Sequence, residues 1–343
     1  MLLWTWRKQS KHSPKQQTRS TIDEGNINRL MSNPGPLLNT EFGPYRCMRV
    51  MGGSLTHTLY HALHRENGEL VALRTVDLGE EHSDLRRETS QLLSRLQSIL
   101  SAYTVPIIDF GFEGNTLYIA STVMKGGALE TRIKRYREQA ERNSTRFDDV
   151  SEADWPAPVS ALRLINRIAQ ALDDVHMAGF VHGLVDPINI MLDDHGDAFL
   201  GEMGVSQLTK ILFHLGNTNS FYVSRYAAPE LWMGGRPQPA TDQYALGCLA
   251  YELLTGEPPY KGVSIYTLMK QHTEDALLPI NYVKPNLPET VSFPLWRAMA
   301  KPMHERYPTV GDFVEDLLLS MPDVDIYEKD EDTASFFARW HAS

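Results

Sequence analysis

The sequence predicts an α+β protein of two lobes, a small lobe of five β-strands with one helix and a larger lobe that is mainly α-helical. Short apolar segments alternate with turn residues from Tyr45 to Ser121, and Asn67-Gly68 between two of them is a strong hairpin signal. From Val159 onward apolar residues recur instead at helical spacing. The 343 residues are enough for one large domain or for two lobes with a sizeable core.

The small lobe is expected over residues 43–124. Its predicted strands are 45–51, 59–64, 70–76, 105–110 and 116–121. The one helix, predicted over 83–100, has an apolar stripe to which Leu92 belongs, and the spacing puts Glu88 on the same stripe. Because an unpaired charge on a buried helix face is very costly, Glu88 is expected to have a partner.

The large lobe is expected over residues 125–322, after a hinge at Gly126-Gly127. Residues 134–155 are highly charged and show no clear apolar stripe, which indicates an insertion on the surface. Further helices are predicted at 159–177, 242–254, 265–271 and 310–320. The second of these is apolar nearly all round and is followed by Gly256, a pattern typical of a fully buried helix with a glycine cap.

Composition and net charge limit the kinds of partner and location that are expected for this chain. Residues 1–42 are polar and basic early on, which predicts a disordered tail, whereas 323–343 are acidic and then aromatic, as expected of a partly docked tail. A net charge of −10 argues against a nucleic-acid partner. No apolar run approaches the roughly 18 residues of a transmembrane segment. The two cysteines, Cys47 and Cys248, lie far apart and suit a reducing cytoplasm, so a cytoplasmic location is expected.

Several short motifs occur in a fixed order along the chain. Residues 181–192 read V-H-G-L-V-D-P-I-N-I-M-L, and residues 202–204 read E-M-G. Further along, 228–230 read A-P-E, Asp242 begins a helix that ends in Y-E-L-L-T-G, and 305–308 read E-R-Y-P. In this order the motifs resemble those of protein kinases, most closely the bacterial eukaryotic-like Ser/Thr kinases, over roughly residues 45–320.

The resemblance implies the two-lobed protein-kinase-like fold and a set of structural residues. The arginine of E-R-Y-P is implied to pair with the glutamate of A-P-E, so a buried Arg306–Glu230 pair is expected. The positions implied to be structural are His182, Met203, Leu92, Glu230, Asp242 and Arg306. Of these, Met203, His182 and Leu92 are expected to stack between the lobes.

The positions that the family uses for chemistry differ. Leu184 stands at the position of the catalytic base, and a leucine cannot accept a proton. Asp186 stands in place of the lysine that would neutralise the transferred phosphate. Val223 replaces the threonine that, in the family, bonds to the catalytic base and to that lysine. The sequence therefore favours a pseudokinase with no catalytic residue of its own.

The small-lobe phosphate contacts are also altered. Gly52 occupies the first position of the Gly-rich loop, but Ser54 and His57 stand at the second and third, where a side chain crowds the phosphates. Arg74 replaces the usual lysine and keeps the charge, although its planar fork is bulkier than an ammonium group. A pair between Arg74 and Glu88 is expected, and it would be structural unless Arg74 also contacts nucleotide.

The cleft between the lobes is where ATP and Mg²⁺ would bind if the resemblance extends that far. The implied nucleotide-binding positions are Gly52, Leu59, Ala72, Arg74, Glu88, Ser121, Thr122, Met124 and Met191. Asn189 and Glu202 are the implied metal ligands, since carboxylate and amide oxygens suit Mg²⁺. The alternatives are that side chains fill the adenine slot, that Asn189 braces its own loop, and that Glu202 meets solvent or a basic side chain.

These observations predict a pseudokinase that binds and regulates a protein partner, such as an active kinase or another signalling protein, through the large lobe and the charged residues 134–155. The first alternative is a weak or atypical ATP-dependent Ser/Thr protein kinase. The second is a switch that binds ATP without transferring phosphate.

Overall fold

The computed structural model describes residues 40–53, 57–78, 83–144, 157–205, 207–208 and 224–326. Six strands form one antiparallel sheet in the order β1-β2-β3-β4-β6-β5. Their bounds are β1 Glu41–Phe42, β2 Tyr45–Gly53, β3 Thr58–His64, β4 Leu70–Asp77, β5 Ile107–Glu113 and β6 Thr116–Thr122. Helix α1, Ser83–Gln97, follows β4. The five predicted strands and the helix after the third are confirmed, with β1 added at the sheet edge.

The small lobe has an apolar layer on each face of its sheet. On one face, Tyr45, Tyr60 and Leu73 are buried, as expected where β-branched and aromatic residues alternate with polar ones. Against the other face lies α1, whose Leu93 and Leu96 pack on sheet residues.

The expectation that Glu88 lies on the buried stripe of α1 is wrong, because the residue is exposed. The buried positions of the helix are Leu85, Thr89, Leu92, Leu93 and Leu96. At about 100° per residue their mean direction lies roughly 90° from Glu88. The buried face of the helix is therefore centred close to Thr89, about one residue further along the chain than Glu88.

The large lobe begins after the hinge and is built around two long helices. Its first elements are β7 Gly127–Ala128, α2 Leu129–Ser144, α3 Pro158–Met177, β8 Ile190–Leu192 and β9 Ala198–Leu200. The later helices are α4 Pro229–Trp232, α5 Pro239–Thr255, α6 Ile265–Thr273, α7 Ile280–Val283, α8 Ser292–Ala298 and α9 Val310–Leu319. Strands β7, β8 and β9 form a small antiparallel sheet beside the cleft.

Helix α5 is the centre of the large lobe. Every residue from Thr241 to Thr255 is buried, as its apolar composition predicts. Gly256 ends the helix at a φ of 89°, a left-handed conformation that glycine adopts without steric cost. Helices α3, α8 and α9 pack around α5, so the predicted buried helix with a glycine cap is confirmed.

Part of the segment predicted as a surface insertion is helical and packs on the core. Lys134–Ser144 belong to α2, in which Ile133 and Tyr136 are buried. Residues 145–156 lie outside the described residues, as do 1–39 and 327–343, which include most of both predicted tails. Within the described ranges, no helix is long and apolar enough to cross a bilayer.

Candidate functional site

The loop that precedes β8 is held by one buried carboxylate. Asp242 of α5 accepts hydrogen bonds from the backbone nitrogens of His182, at 2.8 Å, and Gly183, at 2.6 Å. It also accepts one from Nε2 of His176 at 2.8 Å. His182 in turn donates from Nε2 to the carbonyl oxygen of Gly201 at 2.8 Å. The loop and the segment carrying Glu202 are therefore fixed to the large-lobe core.

The side chain of Asn189 bonds to the backbone of Leu184 in the same loop. The Nδ2 of Asn189 donates to the carbonyl oxygen of Leu184 at 2.8 Å, so Asn189 braces its own loop. The Leu184 side chain, at the position of the family's base, offers neither a proton acceptor nor a group that could orient a hydroxyl.

Asp186 has a different set of partners from those the resemblance implies. It accepts hydrogen bonds from the backbone nitrogen of Ile188, at 3.1 Å, and from Oγ of Ser224, at 2.6 Å. Burial raises the pKa of Asp186, against the opposing effect of these two bonds. Val223 lies outside the described residues, but its neighbour Ser224 supplies the hydroxyl to Asp186. The sequence prediction missed Ser224, and a hydroxyl one position beyond the expected threonine was the available signal.

The predicted pair of Arg74 and Glu88 is wrong. Arg74 of β4 instead donates to Oε1 of Glu202, and the two side chains are only 12% and 27% exposed. With Glu88 turned to solvent, Glu202 is the carboxylate within reach of the guanidinium. This ion pair joins the small lobe to the large lobe across the cleft and fulfils the alternative in which Glu202 meets a basic side chain.

Glu202 and Arg74 each have one further unusual feature. Glu202 has a φ of 58°, and among the described residues it alone has a positive φ without being a glycine. The Nε of Arg74 is buried and has no hydrogen-bond partner among the residues that the structure describes.

The residues do not fit the divalent metal that the resemblance implies. The carboxylate of Glu202 is already neutralised by Arg74, and Asn189 adds only an uncharged amide. Mg²⁺ is bound through carboxylates and sheds its water reluctantly, so it would have to displace the guanidinium. Across the part of the chain that is described, no three His, Cys, Asp or Glu side chains cluster in a way that could hold a metal.

His57 lies close to the same pair, at the start of β3. Burial and the charge of Arg74 lower the pKa of His57, against an opposing effect of Glu202. The imidazole is therefore neutral at pH 7. Gly52 is exposed, and a Cβ added there would meet nothing within 4 Å, so the fold itself does not require this glycine.

The implied adenine positions lie around the cleft on four strands. Ala72 of β4 is paired with Ser121 of β6, and Leu59 of β3 with Arg74. Met191 of β8 is opposite Ala128 of β7. Their side chains are half-buried, whereas Thr122 is exposed.

The backbone of the connection after β6 is partly used within the protein. The carbonyl oxygen of Met124 accepts from the Gly127 nitrogen at 3.2 Å, and the Gly126 nitrogen donates to the Leu192 carbonyl at 2.9 Å. A Cβ on Gly126 would lie 2.3 Å from the carbonyl oxygen of Asp193, which explains a glycine at this point of the hinge.

Contacts between the lobes include Met203, which packs against the cores of both. Leu92 belongs to the small-lobe side of this packing, and Leu96 lies over Gly204. His182 is buried on the large-lobe side.

Away from the cleft, the predicted pair of Arg306 and Glu230 is confirmed. Both terminal nitrogens of Arg306 donate to the two carboxylate oxygens, each at 2.8 Å, and the side chains are 0% and 10% exposed. Burial alone would raise the pKa of Glu230, but the hydrogen bonds and charge of Arg306 hold it below its usual value.

A second buried network was missed from the sequence. Glu252 of α5 accepts hydrogen bonds from the Tyr226 hydroxyl and from Arg137 of α2. Burial raises the pKa of Glu252 in spite of both partners. A lone glutamate inside an otherwise apolar helix was the signal for such partners, because glutamate is almost never fully buried without them.

Comparison with known proteins identifies the family. Residues 45–324 match the protein kinase domain. The chain belongs to the protein kinase domain family. Within this family it is similar to the Ser/Thr protein kinase PknE of Mycobacterium tuberculosis, with 31% identity over 80% of the chain and 45% of PknE. It is 28% identical to PknH of the same species, over 79% of the chain and 41% of PknH. The chain thus matches less than half of each relative's length.

Solved structures agree on the fold. The PknI kinase domain of Mycobacterium tuberculosis superposes with a TM-score of 0.59 at 20% identity, covering 82% of this chain and 98% of that domain. A point mutant of the same domain gives a TM-score of 0.60. The two-lobed α+β kinase fold predicted from the sequence is therefore confirmed.

Proposed function

We propose that this protein kinase domain is a pseudokinase, which binds and regulates a protein partner and transfers no phosphate. The observation that carries the proposal is the pairing of Glu202 with Arg74 in a cleft where Leu184 stands in place of a base. Phosphoryl transfer requires positioned phosphates, neutralised charge and a base or orienting group near the attacking hydroxyl. Loss of a general base alone typically costs about 10²–10⁴ in rate.

The surroundings of Leu184 add to this argument. Asp186 brings a negative charge to the place where the family has a cation, and Ser224 holds that carboxylate in position. An anion here repels the transferred phosphate, whereas the reaction needs positive charge. Three determinants of transfer (the base, the neutralising cation and the carboxylate for metal) are thus changed together.

The second candidate function is a weak or atypical ATP-dependent Ser/Thr protein kinase, and the comparisons favour it. PknE and PknH are both named Ser/Thr protein kinases. The backbone of the loop is also held in place, by Asp242 and by the side-chain amide of Asn189. Such an enzyme would need a loop fixed in this way.

The proposed partner is an active kinase or another signalling protein in the cytoplasm. The proposal assigns its binding to the large lobe, residues 125–322, and to the charged segment 134–155. The small lobe, 43–124, would act mainly through its contacts with the large lobe. The net charge of −10 supports a protein rather than a nucleic acid as partner.

A phosphotransfer assay separates the two candidates. The purified chain is incubated with radiolabelled ATP, Mg²⁺ or Mn²⁺, and a general protein substrate, beside an active Ser/Thr kinase domain. We expect no incorporation above background. Incorporation that disappears in Glu202→Ala would establish the kinase and refute the pseudokinase.

A gain-of-function variant tests the same proposal. Leu184→Asp restores a carboxylate but leaves Asp186 and the Arg74–Glu202 pair in place. We expect it to remain inactive, because residues that act as a unit contribute in a strongly non-additive way. A robustly active single variant would show that the rest of the site is competent.

A further inference from the structure

The guanidinium of Arg74 is only partly satisfied by its carboxylate partner. One terminal nitrogen donates to Glu202, while the buried Nε has no acceptor among the described groups. A buried donor of a charged group that lacks a partner is costly, and such a group often marks the place of a ligand or a water molecule. The Nε therefore indicates that an acceptor belongs beside Arg74 in the cleft.

We infer that the Arg74 guanidinium takes the place of a divalent metal here, bridging the Glu202 carboxylate and a phosphate of a nucleotide that binds without metal. In a metal-dependent site the ion lies between a carboxylate and phosphate oxygens. Arginine can perform the same bridging, because its planar fork presents donors to two anionic groups at once and it stays charged. The inference rests on the proposed function, since a site arranged in this way holds phosphate without transferring it.

The local charge balance favours this arrangement over metal binding. The Glu202 carboxylate is already matched by the positive charge of Arg74, and a divalent ion placed beside Arg74 would be repelled by the guanidinium. His57 adds no second positive charge at pH 7, since burial and Arg74 lower its pKa. The phosphate of a metal-free nucleotide would therefore meet one fixed cation.

The test is nucleotide affinity, measured by calorimetry on the full chain with ATP in EDTA and again with excess Mg²⁺. We expect binding in EDTA that is as tight as, or tighter than, binding with Mg²⁺. In Arg74→Met the affinity should fall about 10-fold or more in both buffers, the value of one charge-assisted hydrogen bond. Arg65→Met, at an exposed arginine of the same lobe, serves as the matched control and should leave affinity unchanged.

Glu202→Gln gives the decisive contrast, and it remains informative if Arg74→Met does not fold. The variant removes a negative charge near the phosphate, so affinity in EDTA should hold or rise. If Mg²⁺ is required for binding and Glu202→Gln abolishes it, Glu202 binds metal and the inference is wrong. An absence of binding in both buffers would also overturn the inference, and the acceptor beside the Arg74 Nε would then be a water molecule. Neither result depends on phosphate transfer, so the proposed function stands or falls separately in the transfer assay.

Discussion

Replacing Arg306 by alanine tests how the large lobe is held together. The side chain is fully buried and donates to both oxygens of Glu230 and to the carbonyl oxygens of Ala240, at 2.7 Å, and Ala300, at 2.9 Å. Removing it leaves the Glu230 carboxylate buried without its cation, which typically costs about 3–5 kcal/mol. For a domain of this size each kcal/mol lowers Tm by roughly 2–4 °C, so a fall of about 6–20 °C is expected.

Urea unfolding followed by circular dichroism measures the free-energy change. The matched control is Arg65→Ala, because Arg65 pairs with Glu41 at the surface, where both side chains are about half exposed. Exposed pairs typically contribute about 0.2–1 kcal/mol, so the control variant should unfold close to the wild-type midpoint.

A double-mutant cycle refines the test. Arg306→Ala and Glu230→Ala each leave a buried charge behind, whereas the double variant leaves none. Its loss should therefore be smaller than the sum of the two single losses. The pair also predicts a pH dependence. The lowered pKa of Glu230 means that its contribution is present above the ordinary value of 4.5 and is lost as pH falls through the folded-state pKa. A cost for Arg306→Ala below about 1 kcal/mol, or strictly additive losses, would refute the buried-pair argument.

Two further predictions concern buried charges. Burial lowers the pKa of Lys301 to about 8, so the wild type should gain unfolding free energy relative to Lys301→Met as pH rises from 8 towards 9.5. Urea titrations measure this difference, with a substitution of the exposed Lys270, Lys270→Met, as the control. Asp186→Asn should match or exceed the wild-type Tm at pH 7, because it removes a desolvated charge and keeps an acceptor for Ser224. Its advantage should shrink as the pH falls and the wild-type carboxyl is protonated, and a clear loss of Tm at pH 7 would contradict the argument.

Local sequence patterns were sufficient for most of the fold. Asn67-Gly68 predicted its hairpin because Gly68 takes the positive φ, 70°, that this turn between β3 and β4 uses. The helix capped by Gly256 followed from an apolar run and a glycine. The Arg306–Glu230 pair was predictable for another reason. Its two residues sit in motifs whose order matched a family, and a buried charge has to find a partner.

The cleft could be predicted only in part, because its contacts depend on how the lobes meet. The buried face of α1 includes Leu93, which the predicted stripe left out, and this face turns Glu88 to solvent. The partner of Arg74 then became Glu202, 128 positions away in the chain. Likewise, the bond from Ser224 to Asp186 joins residues 38 positions apart in the chain, so it depends on the tertiary fold and not on local sequence.

In the cleft, the contacts that hold the loops of the kinase fold do not involve the side chains that phosphate transfer would need. Asp242 holds the loop through backbone nitrogens, and Asn189 bonds to the Leu184 carbonyl, so neither contact depends on the side chain at position 184. A leucine there leaves the loop geometry intact while removing the proton acceptor. The positive charge of Arg74 is likewise kept, but it is directed to Glu202. A fold can thus retain the architecture of a phosphotransferase without the proton acceptor, and the chemistry must be judged from the side chains that line the cleft.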